Sequence, residues 1–292
     1  MGQALSRLLF PRRLKILVLP GSFSGEELWR FTTEELPELL HQSDPQHGGP
    51  ARGWSATLGD LVEFKVCLPS AAQEAEPWPQ STPQMATYYR GVSEKVRAYL
   101  KELDMDELHL RNWWNGALDA LPIEGHSLPP GVSLPDEVVD AALGHVRSFV
   151  AQHGPFHGVL GFSQGAALAQ LLLAGAARGE VDFDFAMQFR FAVAISGFDL
   201  PPFAKYRHLA PPAEALQLPA FAIAGARDYA RHSCERMAVN TFGLAGLSEE
   251  HQGDHTVGFT PSAGFRAFLQ EEWHKVYPAD DPSSCCERRR RD

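Results

Sequence analysis

The chain is long enough, at 292 residues, to bury a full hydrophobic core in one large domain or two small ones. Its hydrophobic share of 44% and charged share of 21% are ordinary for a soluble globular protein. A formal net charge of -10 argues against a nucleic-acid partner, because nucleic-acid-binding domains normally present a basic face. The apolar runs are shorter than the ~20 residues of a transmembrane helix, and the apolar N-terminal stretch is too short for a secretory signal.

The four cysteines indicate neither a disulfide framework nor a zinc site. Cys67 and Cys234 are isolated in the sequence, and Cys285 and Cys286 are adjacent in a polar C-terminal segment, so there is no C-x-x-C pair. This usage predicts a reducing compartment and therefore a cytoplasmic location.

Short, nearly continuous apolar runs predict the strands of a parallel sheet that is covered on both faces. The predicted strands, in chain order, are Leu14–Leu19, Leu61–Leu68, His157–Phe162, Phe191–Ser196, Ala220–Ala224 and a sixth around Phe242–Leu247. Helical periodicity predicts helices at Ser24–Leu40, Pro135–Gln152, Ala166–Ala177 and Ser262–Val276.

This alternation predicts an α/β fold, with a mostly parallel central sheet and helices on both faces. We expect one such domain over residues 14–277. A flexible basic segment (1–13) precedes it and a disordered tail (278–292) follows it.

Residues 69–135 interrupt the alternation of strands and helices. The segment is rich in proline, contains Trp78, Trp113 and Trp114, and includes one amphipathic helical stretch. Two interpretations stand side by side: an inserted cap over the active site, or a packed excursion at the edge of the sheet.

The stretch Gly161-Phe162-Ser163-Gln164-Gly165 has the G-x-S-x-G pattern of a nucleophile elbow. An apolar strand precedes it and a helix rich in small residues follows, which is the context that the motif requires. The flanking glycines are expected because a Cβ at either position would collide with the neighbouring strand or helix. Ser163 is the candidate nucleophile.

A serine hydroxyl needs a base, and the base needs an orienting acid, which in this fold follow in the order Ser, Asp or Glu, His. Asp228 comes just after the strand Ala220–Ala224, and His255 lies in the loop between the last strand and the last helix. These two residues are the first choices, with Asp199 as the second choice for the acid and His251 for the base.

The oxyanion of a tetrahedral intermediate needs backbone N–H donors. One is expected from Gln164, at the start of the helix after the nucleophile. The other is expected from the loop after the first strand, at Ser22 or Phe23.

With these residues assigned, the chain resembles the FSH-type serine hydrolases of the α/β-hydrolase superfamily. The elbow segment "GPFHGVLGFSQGAALAQLLL" is very similar to that family's, and "LPAFAIAGARD" and "HQGDHTVGFTP" resemble its acid and histidine segments. The resemblance implies that Ser163, Asp228 and His255 are nucleophile, acid and base, and that carboxylic esters or thioesters are cleaved without a metal or cofactor. Two positions depart from the family pattern, Pro20 where a histidine is usual and Asp254 where a glycine is usual.

Both ends of the chain carry patterns associated with lipid attachment. The start, Met-Gly-Gln-Ala-Leu-Ser, matches the N-myristoylation pattern on Gly2 and is followed by basic residues. Cys285 and Cys286 precede a run of arginines. We favour solvated tails; the alternative is peripheral membrane attachment through acylation together with the basic patch.

The sequence therefore predicts a serine hydrolase that cleaves carboxylic ester or thioester bonds of a small acyl substrate. A catalytically silent binding protein with the same fold is the alternative, favoured by Pro20 and Asp254. A haloperoxidase or acyltransferase that uses the same triad also remains open.

Overall fold

The computed structural model describes residues 12–21, 29, 33–34, 53–70, 113, 136–198, 205–209 and 215–278. Within these ranges the chain forms one parallel sheet of six strands in the order β2-β1-β3-β4-β5-β6. The strands are β1 (Leu14–Leu19), β2 (Val62–Val66), β3 (Gly158–Phe162), β4 (Phe191–Ile195), β5 (Ala220–Gly225) and β6 (Glu249–His251).

The described helices pack on both faces of this sheet. They are α1 (Trp54–Leu58), α2 (Asp136–His153), α3 (Gln164–Ala177), α4 (Arg231–Phe242) and α5 (Ala263–Val276), with 3-10 segments at Val181–Gln188 and Arg207–Leu209. Alternate residues of β1 enter the two cores: Leu17 and Leu19 face α2 and α3, whereas Ile16 and Val18 face α1 and α5. The predicted fold class, a mostly parallel sheet with helices on both faces, is confirmed.

Strand β1 lies between β2 and β3, so the chain adds β2 on one side of β1 and the later strands on the other. Ligand sites of open parallel sheets form where the order reverses, beyond the carboxyl ends of the strands. The carboxyl ends of β1 and β3 therefore lie beside each other, where a site is expected.

Five of the six predicted strands are confirmed to within two residues at either end. The sixth, predicted around Phe242–Leu247, is wrong: Phe242 is the last residue of α4, which ends at Gly243 with a left-handed φ of 65°. The sixth strand is instead the polar segment Glu249–His251. Among the described strands it pairs with β5 alone, and its residues are at most partly buried, so it needs no apolar run.

Helix α4 was not predicted, because half of its buried stripe is polar or small. Its buried residues are Ser233, Cys234, Met237, Ala238, Thr241 and Phe242. Such a stripe gives a weak apolar signal although its spacing is helical.

Several predictions fall outside the described residues. Of the predicted helix Ser24–Leu40 only Trp29, Thr33 and Glu34 are described, and of residues 69–135 only Pro69, Ser70 and Trp113. Gly2, Cys285 and Cys286 are also outside, so lipid attachment and cytoplasmic location stay predictions. None of the helices in the described ranges is both long and apolar enough to cross a membrane.

Candidate active site

The turn between β3 and α3 holds Ser163 in a strained backbone conformation, with φ of 53° and ψ of -119°. A Cβ on Gly161 would lie 2.4 Å from the Cα of Ala166, and one on Gly165 would lie 1.9 Å from the carbonyl oxygen of Leu19. The predicted steric need for both glycines is therefore confirmed. Helix α3 packs directly against the end of β1 at this turn.

The structure brings the three predicted side chains together in one hydrogen-bonded chain. His255 Nε2 lies 2.9 Å from Ser163 Oγ, and His255 Nδ1 lies 2.8 Å from Asp228 Oδ1. All three residues are buried. They reach the same point because each follows the carboxyl end of a strand: β3, β5 and β6.

Two aromatic rings flank the imidazole of His255. The Tyr229 ring is stacked on it with 4.4 Å between centroids and 29° between planes, and the Phe162 ring lies 5.0 Å away at 38°. These contacts restrict the rotation of the imidazole and keep both ring nitrogens directed at their partners.

The carboxylate of Asp228 is stabilised in its charged form. Burial raises its pKa, but the charge and hydrogen bond of His255, the Ser196 hydroxyl and the backbone N–H of Ala230 together hold the pKa below its usual value. The Ala230 N–H donates to Oδ1 at 2.7 Å. Asp228 is therefore ionised at neutral pH and accepts a hydrogen bond from the Nδ1–H of His255.

The structure distinguishes the first-choice base from the second. It is His255, and not His251, that bonds to Ser163. The His251 ring is stacked on Phe259 at 4.7 Å, its Nδ1 accepts the Gly253 N–H at 3.1 Å, and burial lowers its pKa to about 4. His251 is thus a neutral residue that shapes the loop carrying His255.

The two candidate acids and the unusual Asp254 are also separated. Asp228 is the carboxylate that contacts His255, whereas Asp199 lies outside the described residues. The side chain of Asp254 is half exposed and pairs with Arg227 at 3.0 Å, so solvent and a guanidinium screen its charge.

The predicted oxyanion donors are described only in part. Gln164 is fully buried at the first position of α3. Ser22 and Phe23 lie outside the described residues, but Gly21 beside them is described. A Cβ on Gly21 would lie 2.9 Å from the Cβ of Ser163, so the start of this loop lies directly against the nucleophile turn.

Sequence reasoning did not identify two residues that support the site. Ser196 follows β4, is fully buried and has a φ of 49°; its place after a strand was an available signal. Trp113 donates its backbone N–H to Gln164 Oε1 and its indole N–H to the carbonyl of Pro20. It lies in the segment 69–135, and nothing in the local sequence distinguishes it from Trp114.

A parallel sheet with a serine on a sharp strand–helix turn, next to a histidine and an aspartate from later loops, defines an α/β-hydrolase. Comparison with known families is more specific. The model of the family described as Serine hydrolase (FSH1) matches residues 10–263. The chain belongs to this family, which confirms the resemblance found in the sequence.

Two curated proteins are similar over about half of the chain. Esterase C25G4.2 of Caenorhabditis elegans is 33% identical over 149 residues, which cover 50% of this chain and 63% of the esterase. Esterase OVCA2 of Mus musculus is 32% identical over 156 residues, 52% of this chain and 62% of the esterase. The matched region spans less than two thirds of either relative.

Solved structures of low identity are also similar along most of the chain. Acyl-protein thioesterase 2 of Zea mays has 16% identity and a TM-score of 0.47, with 91% of this chain and 96% of that one covered. SOBER1 of Arabidopsis thaliana has 14% identity and a TM-score of 0.43, with 90% and 99% covered.

Proposed function

We propose that the protein hydrolyses carboxylic ester or thioester bonds of an acyl substrate through an acyl-enzyme intermediate on Ser163. The observation that carries the proposal is the continuous hydrogen-bonded chain from Ser163 through His255 to Asp228. Membership of a serine hydrolase family and the names of the two esterase relatives support it.

In the acylation step, Ser163 Oγ attacks the carbonyl carbon while its proton passes to His255 Nε2. The imidazolium that forms donates from Nδ1 to the ionised Asp228. When the tetrahedral intermediate collapses, the bond to the alcohol or thiol breaks and His255 returns the proton to that leaving group. The acyl group is then bonded to Ser163.

In the deacylation step, water takes the place of the alcohol or thiol. His255 accepts a proton from the water as its oxygen attacks the acyl carbon, and then protonates Ser163 Oγ as the ester bond to the enzyme breaks. The products are the free acid and the restored serine. Each step uses this chain's own groups and water.

Charge develops on the carbonyl oxygen in both steps. The backbone N–H of Gln164, at the first position of α3, is one donor for it, and the loop after β1, at Ser22 or Phe23, supplies the other. The close approach of Gly21 to Ser163 supports this assignment, because the loop begins directly beside the serine.

A series of p-nitrophenyl esters and thioesters of increasing acyl chain length tests the proposal with the wild type and Ser163→Ala. We expect turnover by the wild type, with a preferred chain length, and a loss of at least about 1,000-fold in kcat in Ser163→Ala. Folded wild type that turns over none of the series would overturn the proposal. It would favour the catalytically silent binding protein instead.

A further inference from the structure

Trp113 connects two parts of the chain that meet at the turn carrying Ser163. Its indole Nε1–H donates to the carbonyl oxygen of Pro20 at 2.8 Å, and its backbone N–H donates to Oε1 of Gln164 at 3.1 Å. Pro20 begins the loop after β1, and Gln164 is the residue directly after Ser163. One residue therefore holds both of the elements that are proposed to supply oxyanion donors.

Trp113 is itself held in place by the residues that surround it. Trp113 is fully buried in the core formed by α2 and α3. Its ring lies 6.4 Å from the ring of His145 on α2, and His145 Nε2 lies 2.8 Å from the carbonyl oxygen of Leu68, just after β2. Trp113 therefore contacts α2 through His145, which in turn bonds to the residue after β2.

The two bonds are of a kind that matters for catalysis. Oxyanion donors are effective when they are preorganised, so that no reorganisation is needed as charge develops. The loop after β1 passes so close to Ser163 that a Cβ on Gly21 would lie 2.9 Å from the serine Cβ. A shift of Pro20 therefore moves the loop relative to the reacting atoms.

We propose that Trp113 is a positioning residue that fixes Pro20, where the loop after β1 begins, relative to Gln164, whose backbone N–H is a proposed oxyanion donor. The inference rests on the proposed function of Ser163 and extends it. It also gives one residue of the segment 69–135 a defined task at the active site. Trp113 does not touch the substrate in this account; it acts through Pro20 and Gln164.

The test uses Trp113→Phe, which keeps an aromatic ring and the backbone N–H but removes the indole donor. Its matched control is Trp273→Phe, because Trp273 Nε1 donates to a backbone carbonyl, that of Arg12, at 2.7 Å. Arg12 precedes β1, so this bond lies at the amino ends of the strands, whereas the active site lies at their carboxyl ends. Both variants lose one indole hydrogen bond to a backbone carbonyl.

A second variant, Gln164→Met, removes the acceptor of the other bond and keeps the Gln164 backbone N–H. Its control is Gln170→Met in the same helix, where the buried amide donates to Thr241 Oγ1. This pair keeps the inference testable if Trp113→Phe does not fold.

We expect Trp113→Phe and Gln164→Met each to lower kcat by about 10- to 100-fold, part of the 100- to 1,000-fold that loss of a whole donor costs, with KM changed less than about 3-fold. A trifluoromethyl ketone, whose hemiketal oxygen requires the oxyanion donors, should bind more weakly by the same factor. The two control variants should keep wild-type kcat and inhibitor affinity. If Trp113 had only a structural role, Trp113→Phe would lower thermal stability and leave kcat and inhibitor affinity at the wild-type level.

Unchanged kcat and inhibitor affinity in folded Trp113→Phe and Gln164→Met would overturn the inference. An equal loss of kcat in the control variants would also overturn it, because the effect would then be one of general stability. If the wild type turns over no ester, the proposed function fails first. If the wild type is active and both Trp113→Phe and Gln164→Met behave as their controls do, the proposed function stands and this inference alone fails.

Discussion

Gly165→Ala is the substitution whose effect can be worked out most directly from the structure. The added Cβ would lie 1.9 Å from the carbonyl oxygen of Leu19 and 2.6 Å from that of Pro20, both of them backbone atoms that cannot rotate away. The first distance is about 1.5 Å short of ordinary van der Waals contact. Helix α3 or the end of β1 must therefore move by an amount of that order.

A movement of this size affects both stability and catalysis. Overpacking a close-packed site costs about 1 to 3 kcal/mol, and we expect the free energy of unfolding to fall toward the upper end of that range. A displacement of about 1 Å at reacting groups can cost about 100-fold in rate. We therefore expect kcat to fall by roughly that factor.

The control is Gly144→Ala, in the middle of α2. A Cβ on Gly144 meets nothing within 4 Å, and the residue is exposed. Alanine is favoured over glycine inside a helix by about 0.5 to 1 kcal/mol, so this variant should be more stable than the wild type and equally active. Urea unfolding and ester turnover measure both quantities for the two variants. Wild-type stability and kcat in Gly165→Ala would refute the reasoning about close approach at the elbow.

Three further outcomes follow from the electrostatics of the site and its surroundings. Asp228→Asn should lower kcat by about 1,000- to 10,000-fold, because the amide no longer holds His255 in the required tautomer. Asp254→Asn should change kcat less than about 3-fold, and equal losses in ester assays would contradict the assignment of Asp228 as the acid. Burial lowers the pKa of His251 from 6.5 to about 4, so the unfolded chain binds a proton that the folded chain does not between those values, and stability falls as the pH falls through that range. Urea unfolding at pH 7 and pH 4.5 should therefore show about 2 to 3 kcal/mol more loss in the wild type than in His251→Asn. Equal losses in the two proteins would contradict the burial of a neutral His251. Burial raises the pKa of the Cys67 thiol to about 12, so iodoacetamide at pH 8 should alkylate Cys67 only after unfolding. If mass spectrometry finds Cys67 alkylated in the folded protein, the thiol is accessible and this expectation is wrong.

The elbow could be predicted from the sequence because its requirements are local. Gly161 and Gly165 flank Ser163 between an apolar strand and a helix of small residues. A Cβ at either glycine would lie 1.9 to 2.4 Å from a backbone atom, which is why glycine is needed there. The buried strands were predictable for a similar reason: β1, covered on both faces, is apolar at nearly every position. The bounds predicted for β1, Leu14–Leu19, match the structure to the residue.

Elements with little apolar surface were not predictable in this way. Strand β6 is polar because it lies at the edge of the sheet, and α4 buries small and polar side chains. The meeting of Ser163, Asp228 and His255 was expected from their chain order, with His251 open as the second choice for the base. The distances separate the two histidines. The role inferred for Trp113 depends on contacts across 51 and 93 residues of sequence, which no local pattern reports.

The proposed reaction requires Ser163 to be an activated nucleophile. The most direct measurement is intact-mass and peptide analysis after treatment with a fluorophosphonate, on the wild type, Ser163→Ala and His255→Ala. We expect one adduct on the peptide that contains Ser163 in the wild type, none in Ser163→Ala, and strongly slowed labelling in His255→Ala. A folded wild type that remains unlabelled, or a Ser163→Ala variant that is labelled as fast as the wild type, would contradict it.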